Sequence, residues 1–381
     1  MDSLISSNMA LFVTSRSSMK KISGGQQICT QEYLKILKLA GFSLKIIEYE
    51  WDRKFLTRLK RHFFPLPYSS LLPSRLIDDI IEHVHETKAT LIFLNVVDVA
   101  PIAKQLREKL DNQHKIILLS HGLASVDYLH EIRAKGGGKF FSRVGNFELQ
   151  TLSRQLIAEC EQRKYIDYVF CLAPFEVEIE RWLGSKKTVW LPRTVSANRL
   201  NWQPNLNRLG FVGTVDHPPN GEGLILFLEA LEKIVSPQIR LRLVGGPVNE
   251  ATAIAKRFPI VEYLGQLTDT ELEREASTWS CFVHPIFCYA RGCSTKLAIA
   301  IGWQIPIATT PAGCRGYSWT QGNLPMPETP EELAKLAMKM VIPEFARSIQ
   351  QEVVAIAKSA PTLAEVSSQV QAALFVPFSD D

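Results

Sequence analysis

Short apolar runs alternate with amphipathic stretches along both halves of the chain. This alternation is typical of strand–helix units around a parallel sheet, whose central strands are buried on both faces. In the first half it predicts strands at 9–14, 44–49, 90–94, 115–120 and 168–172, with helices at 26–40, 75–86, 99–109 and 147–160. In the second half it predicts strands at 208–212, 240–244, 260–263, 281–284 and 305–308, with helices at 221–234, 249–257, 270–277 and 296–301.

Two domains follow from this repetition, because 381 residues with 46% hydrophobic content exceed one ordinary core. We predict an N-terminal Rossmann-like domain at 1–190, a hinge at 191–207 and a second Rossmann-like domain at 208–360. The hinge lacks sustained periodicity and is rich in Asn and Pro. A helix should start at Pro330, with Thr329 as its cap. For a last helix within 361–381, packing back on the first domain is one option.

Composition and charge exclude several classes of protein. The 43 basic and 39 acidic side chains give a net charge of +4, far from the strongly basic profile of a nucleic-acid-binding protein. The seven cysteines form no CxxC pair, so we expect reduced thiols and no metal site. The apolar run near Leu11 is too short for a signal peptide or a membrane span. We therefore expect a cytoplasmic protein.

Glycines mark two predicted strand-to-helix junctions where phosphate could approach backbone N–H groups. Gly24 and Gly25 precede the first helix, and Gly213 with Thr214 follow the first strand of the second half. Neither junction fits the GxGxxG or P-loop pattern, which counts against a dinucleotide-binding enzyme or an ATPase. A plain tight turn remains the alternative for Gly24 and Gly25.

A set of motifs in the second half resembles the carboxyl-terminal domain of retaining family-4 glycosyltransferases of the GT-B fold, particularly those of bacterial polysaccharide synthesis. In order along the chain, the motifs are Phe211-Val212-Gly213-Thr214-Val215-Asp216, Pro219-Asn220, Val244-Gly245-Gly246, Leu264-Gly265, Cys281-Phe282-Val283-His284-Pro285, Ala290-Arg291-Gly292, Lys296, and the segment from Ile305 to Gly316. The first half resembles the family in topology alone.

The resemblance implies an α/β protein of two doubly wound parallel-sheet domains facing across a cleft. It implies transfer of a hexose from a nucleoside-diphosphate sugar to a glycan, a lipid-linked glycan or another acceptor, with retention and without a metal or other cofactor. The implied catalytic residues are His121, Arg291 and Lys296. The implied residues for the nucleotide sugar are Gly213, Thr214, Asn220, Gly245, Gly265, Thr309 and Gly313. Gly24 and Gly25 would admit the acceptor or a phosphate.

Several of these residues also have a structural interpretation. Arg291 could form a surface ion pair, and Lys296 could be a solvated charge at a helix start. For Asn220 a helix cap ranks before a ligand. The segment 51–68, basic and aromatic, could rest on an anionic membrane surface or form a solvated helix with a few core aromatics.

Two departures from the family pattern favour a second function. Ile299 stands where family members carry a glutamate that accepts hydrogen bonds from the ribose, and Gln304 stands at a glycine position. A catalytically degenerate GT-B protein, acting as a binding or scaffolding module, is therefore the alternative. A nucleotide-sugar epimerase of the same fold would need acidic cleft residues that the sequence does not reveal.

Overall fold

The computed structural model describes residues 8–20, 24–51, 72–135, 145–236 and 238–375. Its contacts divide the chain into two compact units, Met1–Pro192 together with Leu363–Asp381, and Arg193–Thr362. Each unit is an α/β layer structure around its own parallel sheet. The predicted basic and aromatic segment 51–68 lies outside the described residues except for Trp51.

The sheet of the first unit has six parallel strands in the order β2-β1-β3-β4-β5-β6. The strands are β1 Met9–Ser15, β2 Ser43–Tyr49, β3 Leu91–Asn95, β4 Lys115–Leu119, β5 Tyr168–Cys171 and β6 Thr188–Trp190. The helices are α1 Gly25–Leu39, α2 Leu76–Thr87, α3 Ala103–Lys109, α4 Ala124–Lys135, α5 Asn146–Arg163, α6 Pro174–Trp182 and α13 Leu363–Phe375. The central strands are buried on both faces, which explains their unbroken apolar sequence.

The sheet of the second unit has five parallel strands in the order β11-β10-β7-β8-β9. The strands are β7 Asn205–Thr214, β8 Arg240–Gly246, β9 Val261–Gly265, β10 Trp279–His284 and β11 Ile307–Thr309. The helices are α7 Pro218–Leu231, α8 Val248–Arg257, α9 Asp269–Ala276, α10 Thr295–Trp303, α11 Pro330–Lys339 and α12 Pro343–Ser359. Thr329 caps α11 through a 3.3 Å bond from the Glu332 N–H, as predicted.

The last helix of the described chain, α13, packs on α1 of the first unit. The Ser367 hydroxyl donates to the Ile36 carbonyl at 3.1 Å, and the Gln371 amide donates to the Ala40 carbonyl at 3.0 Å. The ring of Phe375 stacks on Phe42 with 5.2 Å between centroids. The first unit is therefore built from two separate stretches of sequence.

Where the structure differs from the expected elements, the cause is local. The predicted helix at 99–109 begins as a 3-10 helix, Val97–Ile102, which contains Pro101, and becomes α-helical only at Ala103. Strand β7 begins at Asn205, inside the predicted linker, since Asn205 pairs with Trp279 of β10. No described helix is both long and apolar enough to cross a bilayer.

Candidate functional site

Lys296 occupies the second position of α10, at the carboxyl edge of the second sheet. Burial alone lowers the pKa of its amino group to about 8. Within the described part of the chain no carboxylate pairs with this amino group, and the first turn of α10 contains no acidic residue. The first N–H groups of a helix have no partner within the helix and carry its positive dipole end. Together they offer uncompensated positive charge to an anion.

The amino group of Lys296 lies close to the backbone of Gly213, at the end of β7. A methyl group on Gly213 would lie 2.9 Å from the Lys296 Nζ. Gly213 pairs with Gly245 in the β7–β8 register, and Gly245 has a φ of +132°. A methyl group on Gly245 would come within 2.0 Å of the Gly213 carbonyl oxygen. The two glycines thus leave bare backbone next to the buried cation.

His284 ends β10 and links the start of α10 to the end of β11. Its Nε2 lies 2.8 Å from the hydroxyl of Ser294, the N-cap of α10, and its Nδ1 lies 3.1 Å from the hydroxyl of Thr309. Burial, and then the charges of Lys296 and Arg315, hold the pKa of His284 well below its usual value. The neutral imidazole therefore acts as one donor and one acceptor.

The loop after β11 packs against the same histidine. A methyl group on Gly313 would lie 2.5 Å from the Thr309 hydroxyl and 2.8 Å from the His284 Nδ1. The Gly313 N–H donates to the Thr310 hydroxyl at 3.0 Å, and that hydroxyl donates to the Ile286 carbonyl. Only a glycine fits at 313, so the loop is held tightly against the strand ends.

Arg291 lies in the irregular loop between β10 and α10 and is half-buried. The guanidinium of Arg315 donates to the carbonyls of Ala290 and Gly292, on either side of it, at 2.9 Å each. The position of Arg291 is therefore fixed through its neighbours in the chain.

Three other predicted residues, Thr214, Asn220 and Gly265, lie at the ends of strands or in the first turn of a helix. The Asn220 side chain donates to the Thr214 carbonyl at 3.0 Å. The prediction that Asn220 caps the helix is wrong, since His217 holds the N-cap position and Asn220 lies in the first turn of α7. The helix begins earlier than predicted because Pro218 suits its first position. Gly265 ends the edge strand β9 with a φ of +78°.

In the first unit, His121 belongs to a buried polar network at the carboxyl ends of β1, β3 and β4. Its Nε2 lies 2.9 Å from the Asn95 Oδ1, and its ring centroid lies 5.5 Å from that of Tyr33. The Asn95 amide donates to the hydroxyls of Thr14 and Thr30 at 2.9 and 3.0 Å. The imidazole is thus held in one orientation by residues from three elements.

Gly24 is the N-cap of α1, and Gly25 is its first residue. A side chain on Gly24 would collide with Gln27, whose amide donates to the Ser17 carbonyl at 3.0 Å. The first turn of α1 has no acidic residue, so its N-terminal dipole is uncompensated by charge there. The structure therefore brings Gly24, Gly25 and His121 to the same edge of the first sheet.

A separate cavity of about 370 Å³ in the second unit contains none of the predicted residues. It is lined by Arg242, Leu264, Leu267, Glu271, Arg274, Glu275 and Thr278. Arg242 is compensated there by Glu275, at 2.7 Å, and by Glu262. This cavity is a poorer anion site than the glycine-lined edge around Lys296.

Sequence reasoning gave no role to His284, Ser294 or Arg315. His284 ends a strand in the same way as His121, a signal that could have singled it out. Arg315 bonds to backbone carbonyls, and Ser294 bonds to the buried imidazole of His284. No local sequence pattern reveals contacts of either kind. Among the described residues, no group of three or more His, Cys, Asp and Glu side chains is arranged to hold a metal ion.

Residues 207–341 match the family model of glycosyl transferases group 1. The matched stretch runs from β7 through α11 and so contains every second-unit residue considered above. No curated protein sequence matches the chain.

Solved structures of glycosyltransferases are similar over nearly the whole chain. Sucrose-phosphate synthase from Thermosynechococcus elongatus has a TM-score of 0.64 at 18% identity, covering 95% of this chain and 97% of that one. Anabaena Alr3699/HepE in complex with UDP-glucose has a TM-score of 0.62 at 16% identity, with 96% and 99% covered. The lipopolysaccharide outer core galactosyltransferase WaaB has a TM-score of 0.60 at 13% identity, with 95% and 98% covered. The chain has the two-domain, Rossmann-like GT-B fold.

Proposed function

We propose that this chain is a glycosyltransferase that moves a hexose from a nucleoside-diphosphate sugar to an acceptor hydroxyl, with retention and without a metal. The observation that carries the proposal is the uncompensated amino group of the half-buried Lys296 beside the bare backbone of Gly213. It lies inside the segment that matches the glycosyl transferases group 1 model. A UDP-sugar is the first donor to test, because the similar Alr3699/HepE structure contains UDP-glucose.

The chemistry explains why a cation is needed there. When the bond between the sugar C1 and the diphosphate oxygen breaks, the leaving diphosphate gains negative charge. Lys296, Arg291 and the N-terminus of α10 stabilise that charge in a partly dehydrated site, where each interaction is stronger than in water. The bare backbone of Gly213, Gly245 and Gly313 admits the phosphates, with Thr309, Thr214, Asn220 and Gly265 lining their surroundings.

The other predicted residues keep their proposed roles in this scheme. His121, oriented by Asn95, contacts the transferred sugar. Gly24 and Gly25 admit the acceptor, which is a glycan, a lipid-linked glycan or another hydroxyl compound. The cytoplasmic location and a peripheral membrane contact through 51–68 belong to the proposal as well.

Donor screening tests this function directly. UDP-, GDP- and ADP-sugars are titrated into the protein by calorimetry, with EDTA present, and the thermal midpoint is followed in parallel. At a ligand concentration of 100 times Kd, binding stabilises the native state by about 2.7 kcal/mol. We expect one donor to bind and to release its nucleoside diphosphate when an acceptor is added. If no nucleotide sugar binds, the proposal is wrong.

Ile299 favours a second candidate, a GT-B module that binds without catalysis. Ile299 is 39% exposed on α10, so an apolar side chain meets solvent where the family resemblance expects a carboxylate. An alkyl group accepts no hydrogen bond from a ribose hydroxyl. A donor that binds but is neither transferred nor hydrolysed supports the module. In that case Ile299→Glu should strengthen donor binding.

A further inference from the structure

We propose that Arg315 is the positioning residue that holds the cation loop, residues 285–294, in the shape that binds the donor diphosphate. The inference rests on the function proposed above. The cation loop has no helix or strand of its own, yet it carries Arg291 and leads directly into Ser294 and Lys296.

The guanidinium of Arg315 gathers several backbone carbonyls at once. Its Nε donates to Ala290 and to Gly292 at 2.9 Å each, and its Nη2 lies 3.5 Å from the Arg291 carbonyl. Its Nη1 donates to the Ala312 carbonyl at 2.7 Å. One side chain thus ties the cation loop to the loop after β11.

This arrangement needs an arginine. Three carbonyls along the cation loop and a fourth, that of Ala312 in the loop of Arg315 itself, match the planar fork of five N–H groups. A lysine would present one compact ammonium instead. Every hydrogen bond of Arg315 among the described residues goes to a backbone carbonyl, and no carboxylate neutralises it there. The positive charge of Arg315 therefore remains part of the site.

A second contact from the same segment fixes the other end of the cation loop. The Tyr317 hydroxyl accepts from the Ala298 N–H at 2.8 Å and donates to the Ser294 carbonyl. Arg315 and Tyr317 thus hold the loop and the first turn of α10 from one short stretch of chain. The charge of Arg315 also helps to keep His284 neutral, because it lowers the pKa of that imidazole.

If Arg315 has this role, its replacement should reduce the order of the cation loop and weaken donor binding, but should change global stability little. In Arg315→Met, the amides of residues 287–294 should exchange with deuterium faster. The donor KM should rise about tenfold or more, as expected for the loss of charge-assisted hydrogen bonds. The thermal midpoint should fall by only a few degrees, because the core cluster of the second unit is untouched. Arg315→Lys keeps the positive charge but lacks the planar guanidinium. Compared with Arg315→Met, it should therefore restore the thermal midpoint, whereas the amides of the cation loop should still exchange fast.

Two further variants make the experiment decisive. Arg347→Met removes an exposed arginine of α12 and should change neither exchange in the loop nor the donor KM. Lys296→Met should weaken donor binding while the amides of the cation loop still exchange slowly. This result would distinguish a residue that contacts the donor from one that holds the loop. In Arg315→Ala, added guanidinium ions should restore part of the donor binding, and ammonium ions should not.

The outcomes separate this proposal from the function on which it rests. If the wild-type protein binds a nucleotide sugar and Arg315→Met leaves both loop exchange and KM unchanged, the positioning role is overturned alone. If no nucleotide sugar binds the wild type, the proposed function fails. Loop exchange in Arg315→Met and Arg315→Lys then still decides whether Arg315 holds the loop. If Arg315→Met does not fold, Arg315→Lys carries the comparison.

Discussion

The amino group of Lys296 lies so close to Gly213 that a methyl group on this glycine would sit 2.9 Å from it. The contact joins the start of α10 to the end of β7, two elements far apart in sequence. The lysine is partly removed from water there without being neutralised by a carboxylate of the described chain.

Replacing Lys296 with Met should weaken donor binding and raise the stability of the free protein. The variant removes a cation whose burial is uncompensated by any carboxylate of the described chain. Donor affinity should fall by about tenfold to a hundredfold, the range for a charge-assisted hydrogen bond, while the ligand-free thermal midpoint rises. Calorimetry and thermal unfolding of the same samples measure both. An unchanged Kd would remove Lys296 from the site.

Donor binding should weaken as the pH rises through about 8. Burial lowers the pKa of Lys296 from 10.5 to about 8, so the amino group is charged below that pH and neutral above it. An anion binds the charged form, and Lys296→Arg should therefore flatten the profile. The stability of the ligand-free protein depends on pH in the opposite direction. Between pH 8 and 10.5 the unfolded chain binds more protons, so this lysine makes the folded state more stable as the pH rises. A pH-independent Kd would contradict the assignment.

Gly213→Ala should lower donor affinity and should also lower stability, because the ring of the buried Phe211 must shift to make room for the methyl group. The added methyl group meets the Lys296 Nζ and the Phe211 ring edge at 2.9 Å, and the lysine is the more flexible of the two neighbours. The amino group must move away from the phosphate site. In a double-mutant cycle, Gly213→Ala should have a smaller effect on Kd once Lys296 is Met, because only its effect through the lysine is then lost. Additive losses would show that the glycine acts independently of the lysine.

Much of both sheets could be predicted because the central strands are buried on both faces and read as continuous apolar runs. β1 and β10 show this well, with their sequences MALFVTS and WSCFVH. β6 escaped prediction because three residues carry too little pattern. The start of β7 was assigned to a linker because Asn205 and Asn207 disfavour strands in isolation, and only pairing with β10 overrides that tendency.

The candidate site was predictable only where a motif made it so. Lys296, Gly213 and Gly313 are named through the family resemblance of their motifs, and they meet in the structure through His284 and Ser294. Arg315 was not found, because its partners are backbone carbonyls and every residue type supplies those. Asn220 was misplaced by one helical turn, since the sequence does not show that Pro218 rather than Gly221 begins α7.

Gln304 is the C-cap of α10 and has a φ of +58°, in the left-handed region that favours glycine. Gln304→Gly should raise the free energy of unfolding by about 1 kcal/mol, because the strain is removed. Gln304→Val should lower it, since β-branched residues resist this conformation most. The matched control is Gln351→Gly inside α12, which should lower the free energy of unfolding by about 1 kcal/mol. Denaturant titration measures all three. Equal effects of glycine at 304 and 351 would contradict the argument.

The core of the first unit contains an ion pair whose loss should be severe. Arg163 donates through Nε and Nη2 to both carboxylate oxygens of Glu180 at 2.5 and 2.7 Å, with side chains 0% and 1% exposed. Glu180→Gln removes the hydrogen-bonded counter-charge of a buried guanidinium and should cost about 3–5 kcal/mol. Glu178→Gln, on the same helix, breaks the exposed pair with Arg181 and should leave the thermal midpoint unchanged. Similar midpoints for both variants would show that the buried pair is dispensable.

The helix α13 has a consequence for how the protein is made. It completes the packing of α1, yet a ribosome reaches residues 363–375 only after the whole second unit has been translated. The five-stranded sheet can therefore form while the nascent chain is still growing. The six-stranded sheet, although its strands are translated first, keeps one side of α1 exposed until α13 has been made. During that interval the first half of the chain is the part most in need of a chaperone.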